Sequence, residues 1–418
     1  MKSLVFALVV AVCYGNAAIA GYPEGVAAAK ARDYVTAATQ WRTAAEAGNV
    51  DAQLALADLY RNGQGVEQDL AASSVWLQKA AERGNVGAQA ELGARYLHGT
   101  GVWQSNLFAA YWLDLAAKSG DEGAQANLGR LYEEGAGVLQ DFAKAADWYR
   151  KAGDKGNVAA QAALGRLYLE GRGVGRDPAL AAQWYRKAAD QQDLAAQARL
   201  GWMYASGTGL PKDFTQPAEW SRKAAERGHA GAQSLLAILY HNGEGVTKDY
   251  KLAFEWAFKA AAQGEIEAHA TLGALYARGN GVEKNSVLAA TEFRKAAERG
   301  HATAQNALGL MYQQGEGLPQ SYRDALVLYR AAAEKGQLDA LYNLAQAYHG
   351  GTGIHRDLTL AYSLANIAAA SGHAPARKKR DELRDELSRR QLAEGQVIAV
   401  RWKVGTPLPR TTQTGSPL

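Results

Sequence analysis

Eight histidines, a single cysteine and a recurring G-x-G-V loop are the residues from which this chain could build chemistry. The histidines show no H-E-x-x-H and no pair spaced for one helical face, so a zinc-protease arrangement is absent from the sequence. His229, His301 and His373 each follow a glycine that ends a repeating unit, which puts them in turns on separate units. His269 stands where Gln125 and Gln161 stand in other copies, and the same polar contact is expected of it. A dinucleotide fingerprint needs a strand before its glycines, and a P-loop needs a Lys-Ser/Thr after them. The loop at Gly135-Ala136-Gly137-Val138 and its copies have neither. No G-x-S-x-G elbow occurs, and no carboxylate pair stands apart from ordinary helix surface charge. The expectation is no catalytic residue, no metal, no cofactor and no enzymatic activity.

Charge and the N-terminus bound the remaining classes. The 418 residues carry a formal charge of +4 with both signs interspersed, unlike the basic face of a nucleic-acid binder. At the N-terminus Lys2 precedes an apolar run from Leu4 to Val12, and Ala18-Ile19-Ala20 makes a small-x-small cleavage site. Residues 1–20 read as a signal peptide cut after Ala20, and the mature protein as periplasmic or secreted. The apolar run is shorter than the ~20 residues a membrane helix needs, and no other stretch could span a bilayer, so no membrane insertion is expected after cleavage. Cys13 lies inside this segment behind Val12, which favours plain cleavage over lipid attachment. The mature chain then has no thiol, disulfide or thiolate metal site.

What positions the side chains is a repeat. Gly48, Gly84, Gly120, Gly156, Gly228, Gly264, Gly300, Gly336 and Gly372 follow a 36-residue step that only Gln192 interrupts. Trp76, Trp112, Trp148, Trp184, Trp220 and Trp256 keep the same step. Within residues 121–156, Ala124, Leu128, Leu131 and Tyr132 make one helical apolar face, and Ala145, Trp148, Tyr149 and Ala152 make a second. Gly135 and Gly137 suit left-handed helix ends, and Asp141 suits the N-cap of the second helix. The equivalents of Asp141 are Asp69, Ser105, Asp177, Asp213, Asp249, Asn285, Ser321 and Asp357, all able to accept from a helix N–H. Mid-helix Gly93, Gly129, Gly165, Gly201, Gly273 and Gly309 alternate with Ala57, Ala237 and Ala345, which marks a site limited by size.

These motifs resemble the Sel-one-like repeat (SLR) family, relatives of tetratricopeptide repeats. The resemblance implies an all-α, right-handed α-solenoid (superhelix) of 36-residue helix-turn-helix repeats with first helices on the concave side. The expected organisation is a half-repeat cap at 21–48, nine repeats at 49–372, capping helices at 373–403 and a disordered tail at 404–418. Ser388 and Gln391 suit a capping box in the last helix. Departures are Arg95 at an apolar position, Gln192 for glycine and Pro217 for alanine.

In the first helices the position after L-G, and positions three before and four after it, share a face distinct from the Leu/Tyr face. It varies from copy to copy, and Asp58, Glu91, Arg130, Arg166, Arg199, Trp202, Leu235, Ile238, Leu310 and Gln346 are the candidate partner-binding residues. Bacterial members of the family serve assembly of envelope complexes, envelope signalling and regulation of polysaccharide export. The resemblance therefore implies a scaffold that binds a protein or peptide partner in its groove, and the interspersed charge argues against nucleic acid as that partner. Cell-wall or carbohydrate binding, through Trp202, and a penicillin-binding-like enzyme are the alternatives. The penicillin-linked relatives carry a disulfide in each repeat, which this mature chain lacks.

Overall fold

The computed structural model describes residues 21–213 and 215–409; the expected signal peptide and residues 410–418 lie outside them. Among the described residues the regular structure is entirely helical, in twenty-two helices. A short pair, α1 (Tyr22–Lys30) and α2 (Tyr34–Glu46), opens the array. Nine repeats follow: α3 (Val50–Asn62) with α4 (Leu70–Glu82), α5 (Val86–His98) with α6 (Asn106–Lys118), and α7 (Glu122–Glu134) with α8 (Phe142–Asp154). Then come α9 (Val158–Glu170) with α10 (Pro178–Asp190), α11 (Leu194–Ser206) with α12 (Thr215–Glu226), and α13 (Ala230–Asn242) with α14 (Tyr250–Ala262). The last three are α15 (Ile266–Arg278) with α16 (Ser286–Glu298), α17 (Ala302–Gln314) with α18 (Tyr322–Glu334), and α19 (Leu338–Gly350) with α20 (Leu358–Ala370). Helices α21 (Ala374–Glu386) and α22 (Arg389–Arg401) close the array. The chain forms two compact units, one reaching Ala196 with Thr208–Leu210 added, the other comprising Gln197–Gly207 and the residues from Pro211 on. None of these helices is long and apolar enough to cross a membrane.

The turn chemistry explains the regular lengths. Gly135 ends α7 at φ 69°, and Gly137 follows at φ 72°. A Cβ at Gly137 would lie 2.2 Å from the Asn106 carbonyl oxygen, so the second glycine is needed for a close approach as well as for its dihedral. Asp141 then accepts from the N–H groups of Ala143 and Lys144. All nine second helices are capped this way, through Asp213 accepting from Thr215 in the fifth repeat. Each such cap is worth about 1 kcal/mol. Gln192 takes the glycine conformation at φ 67°, and Pro217 stands where the Ala145 N–H donates to the Asp141 carbonyl, so α12 forgoes that first helical bond.

Of the six recurring mid-helix glycines, all but Gly201 lie under a large side chain of the following helix. A Cβ on Gly129, Gly165 or Gly309 would stand 2.8, 3.1 or 2.7 Å from the ring of Tyr149, Tyr185 or Tyr329, and Phe293 and Leu113 cover Gly273 and Gly93. At two of the three positions where alanine replaces glycine, Ala237 and Ala345, the residue twenty positions on is Ala257 or Ala365, whereas Ala57 is followed by Leu77. At those two contacts a smaller partner offsets the added methyl, as a close-packed interior requires. Further ties join neighbouring repeats. Gln125 and Gln161 donate to the carbonyls of Ala117 and Gly153. Arg150 donates to the Tyr168 hydroxyl and Arg330 to that of Tyr348. Within single second helices, Lys79, Lys151 and Lys187 sit 3.8–3.9 Å over Trp76, Trp148 and Trp184.

Two departures from regularity are compensated locally. Arg95 is only 6% exposed; its guanidinium donates to Ser73 Oγ and Ser74 Oγ and pairs with Glu91 at 2.6 Å. Those serines stand where Ala109-Ala110 and Ala145-Ala146 stand in the next copies, so a buried charge arrives with its own acceptors. The segment expected to be disordered from residue 404 instead folds back on α18 as far as Leu408. That leucine is 3% exposed and exchanges hydrogen bonds with Arg330 and Glu334. Ser388 and Gln391 form the expected capping box, and α22 continues to Arg401.

Candidate functional site

The charged cavity of the first unit is built from three helices. α7 supplies Ala126, Asn127, Arg130, Glu133 and Glu134, α8 supplies Tyr149, and α9 supplies Ala159, Ala163 and Arg166, with Arg172 from the following turn. They enclose about 520 Å³. Gly129 lets the Tyr149 ring settle onto α7, which aims its hydroxyl at Glu133 Oε2, 3.0 Å away. The other carboxylate oxygen of Glu133 pairs with Arg166 at 2.6 Å. Glu133 is nearly covered, with 12% of its side chain exposed. Burial, followed by the charge of Glu133 and its hydrogen bond, holds the Tyr149 hydroxyl far above its ordinary pKa. Burial works against the charge on Arg166, but the hydrogen bond and charge of Glu133 outweigh it, so the guanidinium stays protonated. Arg130 pairs with Glu134 at 3.1 Å on the exposed rim.

Of the ten candidates read from the sequence, Arg130 and Arg166 come together in this cavity. Asp58 and Glu91 form a separate cluster, linked through Arg61 at 2.7 and 3.3 Å. Arg199 and Gln346 are exposed, and Ile238 is half-buried. Leu235 is not surface at all: it is 1% exposed and belongs to a core cluster against which Trp202 packs. Leu310 likewise packs against the core of its unit. The cause lies on α12, where Ser221 replaces the roofing tyrosine. The Leu235 side chain comes within 3.2 Å of the space above Gly201 that a tyrosine ring fills elsewhere. Variation there reflects repacking rather than exposure, so the apolar middle of the expected face is withdrawn as a binding surface.

Glu133 and Tyr149 were missed by sequence reasoning because they lie sixteen residues apart on different helices. Their signal is the spacing itself, repeated in Gln313 and Tyr329. There the Tyr329 hydroxyl donates to Gln313 Oε1 at 2.8 Å, beside a cavity of about 120 Å³ in the second unit.

Three of the histidines are helix caps. His229, His301 and His373 cap first helices, with Nδ1 accepting from Ala232, Ala304 and Ala376. His269 does not make the glutamine contact expected of it; its shorter side chain pairs instead with Glu292 at 2.6 Å. Among the described residues no group of three or more His, Cys, Asp or Glu is placed to hold a metal ion. Elsewhere in the first unit Trp103, 93% exposed, stands near Leu107, Phe108 and Tyr111 in sequence, and these last three line a cavity of about 320 Å³.

Tandem helix pairs of this length and capping define an all-α solenoid. The Sel1 repeat pattern matches it nine times in succession, at residues 50–85, 86–121, 123–157, 158–193, 194–229, 230–265, 266–301, 302–337 and 338–373. The chain belongs to the Sel1 repeat family. It is similar to a crystal structure of a protective antigen present in uropathogenic Escherichia coli strains and displaying an SLR fold. The two are 32% identical over 87% of this chain and 86% of that one, with a TM-score of 0.65. It is also similar to a Sel1 repeat protein from Oxalobacter formigenes, 33% identical over 74% of this chain and 89% of that one, with a TM-score of 0.53. No curated protein matches the chain. Sel1 repeat proteins are generally protein-interaction scaffolds and typically non-catalytic.

Proposed function

We propose that this chain is an exported scaffold of the bacterial envelope that holds a protein or peptide partner on its first helices, with Arg130 and Arg166 as anchors. Envelope signalling, complex assembly and control of exopolysaccharide are the settings such a scaffold would serve. The carrying observation is the cavity floored by Ala126, Ala159 and Ala163 and flanked by two arginines. Arg166 is already fixed by Glu133, so less side-chain freedom is lost on binding, and arginine is among the favoured interface anchors.

Arg130→Ala with Glu133→Gln and Arg166→Gln tests this without leaving an unpaired carboxylate, since it writes the Gln313/Gln346 set of the second unit into the first. Crosslinked capture from an envelope extract should fall by about 2 kcal/mol or more in affinity at near-parental melting. Ala126→Asn with Ala163→Asn, which fills the floor, should do the same. Undiminished capture in both variants would place the partner elsewhere. Export is supported by the cleavable segment at residues 1–20, and the mature N-terminus should be Gly21. Recovery of the whole chain from the cytosol would overturn export.

Polysaccharide binding is a second reading, now favoured at Phe108, Tyr111 and Trp103 rather than Trp202, because those rings are exposed. Tyr111→Ala with Trp103→Ala should then abolish retention on envelope polysaccharide and spare protein capture.

A further inference from the structure

The last described residues bring a peptide ligand into the second unit. The Gly405 N–H donates to the Glu334 carbonyl at 2.8 Å. The Leu408 N–H then donates to Glu334 Oε1 at 3.0 Å, and the Leu408 carbonyl accepts from Arg330 Nη1 at 3.1 Å. One Arg–Glu pair, four residues apart on α18, thus holds both main-chain groups of a single residue whose side chain is buried. Pro407 and Pro409 flank that residue. Proline has no N–H, so Leu408 is the one main-chain donor between them. Its neighbours also favour extended, polyproline-like backbone.

The guanidinium that does the holding is itself fixed, because Arg330 Nη2 donates to the Tyr348 hydroxyl at 2.9 Å. The same three residues recur at the same spacing as Arg42, Glu46 and Tyr60 in the first unit, and in the second unit as two sets, Arg222, Glu226 and Tyr240, and Arg294, Glu298 and Tyr312. In both sets Nη2 is 3.4 Å from the tyrosine hydroxyl. Arg222, Glu226 and Arg294 are exposed at the surface. Nη1 of both arginines and the carboxylates of Glu226 and Glu298 have no hydrogen bond or ion pair among the described residues. The third-repeat pair differs, since Arg150 turns to Asp147 and Asp154 to Lys187. Two grips of the second unit are therefore set as at Arg330 and Glu334, with the hand that holds Leu408 left open.

We propose that these Arg–Tyr–Glu sets on α12 with α13, and on α16 with α17, bind a proline-flanked, extended apolar segment of a partner polypeptide. That is the chemistry Pro407-Leu408-Pro409 presents to α18 within the chain itself. Arginine takes the carbonyl, glutamate takes the N–H, and the flanking prolines keep the segment extended at little entropic cost. The surface lies on residues other than those of the first-helix cavity, and its partner is a linear motif rather than a folded domain.

The probe is a fluorescent synthetic peptide with the sequence of residues 403–410, added to the intact chain so that its own tail keeps the α18 grip filled. Anisotropy should rise saturably. In a chain that also carries Arg42→Ala with Glu46→Ala, replacing Arg222, Glu226, Arg294 and Glu298 together by alanine should weaken binding by about tenfold or more. In that same Arg42→Ala, Glu46→Ala background, Arg294→Ala with Glu298→Ala alone should remove roughly half of the bound peptide, one grip of the two left. A peptide carrying Leu408→Asp should not bind. The Arg130, Glu133 and Arg166 variant should bind the probe like the parent, which separates this grip from the first-helix reading. No saturation at millimolar peptide, or equal binding by a correctly melting fourfold variant, overturns the proposal.

Discussion

Tyr149 and Tyr329 stand five repeats apart, one in each unit, over equivalent glycines, yet the cavities beside them differ in both charge and size. Beside Tyr149 the partner is a carboxylate already claimed by Arg166; beside Tyr329 it is the amide of Gln313, and Gln346 stands at the arginine position. The floor differs too. Ala126 and Ala163 leave space where Asn306 and Asn343 hydrogen-bond to each other at 2.9 Å across it. The contrast separates two kinds of constraint. Glycine under a ring is dictated by the helix contact and is kept. The rim and floor are not dictated, and there the chain is free to write a cavity into one unit and close it in the other.

If the roof is common property, breaking it should be equally costly in both places. Gly129→Leu and Gly309→Leu each drive a side chain into a tyrosine ring, and overpacking of this kind costs about 1–3 kcal/mol or more. Thermal melts followed by circular dichroism should show losses of similar size. A loss at one site alone would mean that the roofs are not equivalent and that the comparison fails at its base.

Much of this scaffold was legible in the sequence because its rules are single-residue rules. A cap needs a short acceptor, as at Asp141 or Ser321, and a left-handed turn needs Gly135 and Gly137. Size exclusion at Gly129 also showed without knowing what covers it. The cavity was only half legible. Arg130 and Arg166 follow from counting along helix faces, whereas the Glu133–Tyr149 contact crosses between helices and no periodicity within either one reveals it. Trp202 and Leu235 were misread for the complementary reason. Variation had been equated with exposure, and the small Ser221 on the facing helix draws those side chains inward.

The polar difference should be measurable next. Tyr149→Phe removes a hydrogen bond to a carboxylate, worth about 1.5–3 kcal/mol, whereas Tyr329→Phe removes one to an amide, worth about 0.5–1.5 kcal/mol. Equal losses would show that Glu133 is satisfied by Arg166 alone. Alkaline titration sharpens the point. Burial raises both hydroxyls, so the unfolded chain gives up these protons first and stability falls as pH rises above about 10, the ordinary tyrosine value. Glu133→Gln should bring the Tyr149 midpoint down, because part of that shift is its charge. Tyr329 is raised by burial alone, and Gln313→Glu should push its midpoint further up. Ultraviolet titration near the phenolate band reads both.

The smallest expected effect comes from a third residue at the same repeat position. His241 stands where Glu133 and Gln313 stand, but Ala257 lies where a roofing tyrosine would be, and the imidazole Nδ1 is buried with no hydrogen-bond partner. Burial, then the charges of Arg278 and Lys248, lower its pKa from the ordinary 6.5. As pH falls below that value the unfolded chain takes up the proton before the folded one does. The stability that His241 contributes is therefore full above about 6.5 and is lost on acidification towards its lower folded value. Because the side chain is only partly covered, solvent screens the charges and the loss should be smaller than for either tyrosine variant. His241→Gln removes the titrating group and keeps an amide, as at Gln313. Its melting temperature should fall less than the parent's between pH 7 and pH 5. An identical acid response in the two proteins would mean that the imidazole protonates freely in place, and the pairing of this position with the roof above it would not extend beyond Glu133 and Gln313.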